Sequence, residues 1–158
     1  MAISPPVLMA RAPGPTADPG SPVSLPSLPA DLQPLVLALH RHGFRLRLEP
    51  PPVRGVYGLF ESRSRTLWLA PIAFDLGIGR QTLLHEATHA AQSCPDGPLR
   101  LIGWNLPLAS VVRQEIAGII TTRYPAGKRA LEREAFALQG QAKAVTLLIE
   151  ALSQRCRP

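Results

Sequence analysis

Thr82-Leu83-Leu84-His85-Glu86-Ala87-Thr88-His89-Ala90-Ala91-Gln92 is the stretch on which the reading of this chain turns. Its flanks are apolar or small, as a buried helix requires, and Cys94-Pro95-Asp96-Gly97 is a turn sequence that ends it. The helix is expected to start near Gly79 to Gln81 and to run to about Ser93. Within it, His85 and His89 are four residues apart, so both imidazoles share one face and can reach a single metal ion. Glu86 follows His85 directly and points beside that ion, where a bound water would sit. Zinc lowers the pKa of such a water, and a neighbouring carboxylate can take its proton. The H-E-x-x-H pattern alone is degenerate, so its surroundings decide how much it means.

Upstream, Leu32, Leu35, Val36 and Leu39 recur at helical spacing after Asp31, a candidate N-cap, and the helix ends near Gly43. Phe44, Leu46 and Leu48 then alternate with Arg45, Arg47 and Glu49, a period-two strand stopped by Pro50-Pro51-Pro52. Residues 56–61 and 65–70 are two β-rich runs joined by Ser62-Arg63-Ser64, which reads as a hairpin with Leu67 and Leu69 on one face and Trp68 on the other. Downstream of Pro107 the spacing is helical through Val111, Val112, Glu115, Ile116 and Ile119, until Tyr124-Pro125-Ala126-Gly127 breaks it. From Lys128 to about Arg155 the helical repeat resumes, with Gly140 placed to split it in two. The expected class is α+β: a small antiparallel sheet or hairpin packed on the H-E-x-x-H helix, followed by two or three further helices.

The chain has 158 residues and a net charge of +6, a length that suits one domain with a real core. Residues 1–30 carry eight prolines and only Arg11 and Asp18 as charges, so this segment is expected to be a disordered tail ahead of a single domain at 31–158. Pro5 and Pro6 interrupt any secretory apolar stretch, which leads to a cytoplasmic expectation. No apolar run reaches the roughly 18–20 residues that span a bilayer, so no membrane partner is expected. The positive charge comes from 15 dispersed Arg against 2 Lys, without a recognition motif, and nucleic acid is not expected as a partner. Two cysteines make no disulfide framework; Cys94 and Cys156 are expected to be buried and reduced, although helix packing could bring them together.

If a fourth coordination position is kept for water, the two histidines need a third protein ligand. An elongated motif with a third His would need glycine at 92 and histidine at 95, where this chain has Gln92 and Pro95. His40 and His42 read as surface or cap residues. Downstream, Glu132 and Glu134 lie on a predicted helix, 43 and 45 residues after His89, and Glu115 lies 26 residues after it. Helical phase puts Glu134 nearer the Leu131/Leu138 stripe, so spacing leaves these three open.

His85-Glu86-Ala87-Thr88-His89 followed by Glu132-Arg133-Glu134-Ala135 resembles the gluzincin group of zinc metallopeptidases, and Leu84 to Gln92 resembles small bacterial and phage zincin-like proteins. The resemblance implies a zincin-like fold with Glu132 as third ligand, Glu134 as the alternative, and Ala135 as the small residue of the motif. Phe136 stands where many members carry an aspartate that orients a metal-binding histidine. The activity it implies is zinc-dependent hydrolysis of a peptide or protein substrate, with Glu86 as general base. It also places the strand at 66–70 at the rim of the cleft and gives Tyr124 a candidate role as oxyanion donor beside its ordinary reading as a packing residue. Two other readings stay open: a structural or regulatory zinc domain without peptidase activity, and a basic nucleic-acid-binding module with an accidental H-E-x-x-H.

Overall fold

The computed structural model describes residues 28–157, so most of the expected proline-rich tail lies outside the described residues. Of its last three positions, Leu28 is buried in the main core. A 3-10 turn, Ala30–Leu32, leads into α1, Gln33–Arg41. Pro34 is tolerated there because the first helical turn has no intrahelical use for its missing N–H. Leu35, Val36, Ala38 and Leu39 face inward. Asp31 is not the cap its position suggested. It sits in the 3-10 turn and its carboxylate takes a 2.8 Å ion pair from Arg80.

Three short strands follow: β1 Arg45–Arg47, β2 Gly58–Glu61 and β3 Thr66–Leu69. β2 and β3 form the expected antiparallel hairpin, with Phe60 opposite Leu67. β1 corrects the expectation of a wholly antiparallel sheet, because it pairs with β3 in parallel, Leu46 beside Leu67, giving the order β1-β3-β2. The stretch 48–57 with its three prolines cannot make a tight β1–β2 turn. It carries the chain past β3 to the far edge instead. Period two then buries Leu46, Phe60, Leu67 and Leu69 on one face and leaves Arg47, Leu59 and Trp68 on the other.

The buried face rests on α3, Gly79–Gln92, and every residue from Thr82 to Gln92 is buried. A helix with small and apolar residues on all sides can be covered all round: here the sheet, the short α2 (Ile72–Asp75), α5 (Arg129–Gln139) and α6 (Ala144–Arg155) all touch it. Single-turn α2 has no counterpart in the sequence reading, since four residues carry no periodicity. Gly79 lets α2 approach, because a Cβ there would meet the Phe74 ring. α4, Ser110–Arg123, packs chiefly on α5 and buries only Ile116 and Ile120, which form a second small cluster with Tyr124 and Phe136. Gly140 divides α5 from α6 as expected. The α+β class is as read, with six α-helices and one three-stranded sheet among the described residues. No described helix is long and apolar enough to cross a membrane.

Cys94 and Cys156 are not reduced: they form a disulfide, with Cα atoms 5.0 Å apart. α3 and α6 pack together with their C-terminal ends side by side, which brings Cys94 and Cys156 together. Arg155 reinforces the junction by donating from Nε to the Ala91 carbonyl at 3.1 Å. The bridge closes a loop between positions 62 apart in sequence. Cys94→Ser/Cys156→Ser is therefore expected to lose about 2–4 kcal/mol of stability, read as a fall in urea midpoint that a reducing agent reproduces in the parent protein.

Candidate metal centre

Three side chains converge where α3 and α5 face each other. His85 Nε2 lies 3.0 Å from Glu132 Oε2, His89 Nε2 lies 3.4 Å from Glu132 Oε1, and the two Nε2 atoms are 3.2 Å apart. All three residues are buried, and their ligand atoms lie within 4.8 Å of one another. Ligands about 2.1 Å from a shared ion at tetrahedral angles stand roughly 3.4 Å apart, close to the separations observed. Glu132 comes from α5, and its neighbours Ala135, fully buried, and Phe136 lie on the same side. The Phe136 ring packs edge-on against His85, with centroids 4.7 Å apart.

The outer partners decide which imidazole atoms face the centre. His85 Nδ1 is 2.8 Å from Gln139 Oε1, and His89 Nδ1 is 2.8 Å from Gln92 Oε1. A carboxamide oxygen only accepts, so each Nδ1 carries the proton and each neutral ring presents the Nε2 lone pair inward. Two lone pairs and a carboxylate then meet with no proton among them. A divalent cation satisfies all three at once. Without one, an Nε2 proton has to be added to make the contact with Glu132. The donor set is the His-His-carboxylate type that zinc accepts.

Burial would push the Glu132 carboxyl up, but without an ion the hydrogen bonds that an added Nε2 proton on His85 and His89 lets them donate outweigh it and hold the group well below the usual carboxylate range. Burial raises the Glu86 carboxyl, with the Glu132 charge adding to the rise and His85 opposing it. For Tyr124, burial and the charges of Glu132 and Glu86 raise the phenol. It therefore stays an O–H donor at every physiological pH.

Glu134, the alternative ligand, faces away from the histidines. Its carboxylate accepts from the backbone N–H of Ile102 at 2.7 Å and of Gly103 at 2.9 Å, and from Gln92 Nε2 at 3.0 Å. Residues two apart on a helix do not share a face, which is why α5 can send Glu132 and Glu134 to different tasks. Glu115 is exposed on α4 and lines a cavity instead. The sequence reading missed Gln92 and Gln139. A signal existed for both: Gln92 is one turn beyond His89, and Gln139 is two turns beyond Glu132.

β3 is not at the cleft rim, because it is the central strand with both edges paired. The strand over Glu86 is the edge strand β2: a Cβ at Gly58 would come within 3.0 Å of Glu86 Cγ and 3.1 Å of its Oε1, and would also strike the Thr82 methyl. Glycine is thus what allows β2 to lie this close to α3. Gly58→Ala is expected to cost about 1–3 kcal/mol, measured as a lowered urea midpoint.

A cavity of about 420 Å³ continues the site along α3. Thr82 and Ile78 lie one and two turns before Glu86, and Gln81 lies one turn before His85; all three line it. The opposite wall is α4, through Val112, Ile116 and Ile119, while Tyr124, Phe136 and Gln139 join the cavity to the metal cluster.

No protein-family model matches the chain, and no curated protein or solved structure is detectably similar to it. What the described residues show is a buried His85-His89-Glu132 cluster that could hold a metal ion.

Proposed function

We propose that the chain is a zinc-dependent hydrolase that cleaves peptide bonds. The observation that carries this reading is a general-base candidate, Glu86, buried beside a three-donor cluster. A site meant only to hold an ion has no use for it. When bound, zinc supplies Lewis-acid chemistry, acidifying a water and polarising a carbonyl. His85, His89 and Glu132 would hold it. Glu86, whose carboxyl burial raises, accepts the proton of the attacking water and passes it to the leaving amine. Tyr124 keeps its phenolic proton and donates toward the developing oxyanion.

The edge of β2 that pairs with no described strand supports an extended substrate added as a further strand, and the cavity between α3 and α4 supports an apolar substrate side chain next to the cleaved bond. Ile116→Trp fills that cavity and is expected to shift cleavage toward small residues. Near-complete burial of the triad favours a second reading, a closed centre that holds zinc for structure alone. The disulfide favours work in an oxidising compartment over the cytoplasm expected from the sequence. The test is cleavage of a mixed peptide library, followed by mass spectrometry. Cleavage that stops with a chelator and returns with zinc supports the proposal; a zinc-loaded protein that leaves the library intact supports the closed centre.

A further inference from the structure

Glu134 has the chemistry of a ligand and the position of something else. Its carboxylate collects three N–H groups: the Ile102 and Gly103 amides of the extended segment between α3 and α4, and one hydrogen of the Gln92 carboxamide. The other hydrogen of that carboxamide goes to the Leu131 carbonyl at 3.1 Å. With both N–H bonds taken, the orientation of buried Gln92 is fixed, and only its oxygen can face His89 Nδ1, 2.8 Å away. The proton of His89 then has to sit on Nδ1, and the Nε2 lone pair points at Glu132 and His85. A flipped Gln92 would set its NH2 against the Nδ1 proton and turn the ring or move the proton inward.

We infer that Glu134 is a positioning residue for the metal centre: acting through Gln92, it holds His89 in the tautomer and orientation that a metal ion requires. The inference rests on the metal-site reading. It also names what replaces the aspartate whose place Phe136 occupies. On the His85 side the Gln139 carboxamide does the orienting, and on the His89 side a two-residue relay does so. The same carboxylate fixes the backbone at Ile102 and Gly103, so that segment and the metal ligand are held by one group.

The test is zinc affinity by chelator competition on the full chain, with four variants and the unfolding midpoint of each metal-free protein. Loss of an outer partner of a metal-ligating histidine typically weakens metal binding 10–100-fold. Glu134→Ala is expected to fall in that range, and Gln92→Glu to do the same by setting two carboxylates against each other. Glu134→Gln tests the contact itself: its carboxamide oxygen can still accept from Gln92 Nε2 and the Ile102 amide, and only the Gly103 contact is given up. It is expected to keep affinity within about threefold of the parent. His89→Ala serves as the loss-of-site control.

Affinity unchanged in Glu134→Ala, or a Glu134→Gln no better than Glu134→Ala, overturns the relay even if the midpoints fall, since a purely structural role lowers the midpoint without following the hydrogen bond to Gln92. A parent protein that binds no more zinc than His89→Ala overturns the metal-site reading itself, and the relay with it.

Discussion

Replacing Glu132 by alanine is expected to weaken zinc binding by more than about 100-fold, beyond the range seen when only an outer partner is lost. Glu132 supplies the one anionic ligand, and its two oxygens face the two imidazoles separately, at 3.0 and 3.4 Å. Without it, the Nε2 atoms remain 3.2 Å apart with nothing to balance a cation's charge. The loss is readable as stability. An ion present at a thousand times its Kd stabilises the folded chain by about 4 kcal/mol. For a domain of this size that is roughly 8–16 °C in Tm, at about 2–4 °C per kcal/mol. Parent protein should gain that increment on zinc addition, and Glu132→Ala should not. Glu134→Ala should keep about one third to two thirds of it, because each tenfold loss of affinity removes about 1.4 kcal/mol of that stabilisation.

The pH dependence has a definite sign. A carboxyl held low in the folded state adds stability at pH values above its unfolded value, near 4.5, and gives it up as pH falls through the folded value. The difference between metal-free parent and Glu132→Ala should therefore shrink as the solution is acidified below about pH 4.5. A gap that widens there would contradict the arrangement.

Glu86→Gln is expected to bind zinc with parent-like stoichiometry and to lose turnover by about 10²–10⁴-fold, the usual contribution of a positioned general base. Glutamine has the same shape against Gly58 and Thr82 but cannot take a proton. The same substitution should raise the Tm of the metal-free protein near pH 8. Burial pushes the Glu86 carboxyl up, so the folded state holds its proton more tightly than the unfolded one, and stability falls as pH rises above about 4.5. The variant lacks that slope. Full turnover in Glu86→Gln would remove Glu86 from the chemistry, and loss of zinc in the same variant would make it a structural residue of the centre.

The helices were legible because their signals are local. Gly140, Pro125 and Cys94-Pro95 mark breaks that the chain respects, and the i, i+4 spacing of His85 and His89 already fixes a shared face. The third ligand was legible only as a choice, since helical phase could not say how α5 is rotated against α3. That rotation is set by packing of Leu138, Ala135 and Phe136, a tertiary property. The parallel β1 and the central place of β3 were hidden for the same reason: alternation shows which face of a strand is buried but not which neighbour it pairs with. Pairing of Cys94 with Cys156 depends on α3 and α6 ending side by side, which no spacing encodes. Gln92 and Gln139 stood at helical intervals from a ligand, yet glutamine is common on helices and carries no signal until its partner is in place.

The central claim is that His85, His89 and Glu132 form a metal site, and elemental mass spectrometry on tag-free protein tests it most directly. The expected result is about one zinc per chain, absent from His85→Ala and His89→Ala prepared in parallel. A parent protein that carries no metal and takes up none from added zinc would contradict the claim.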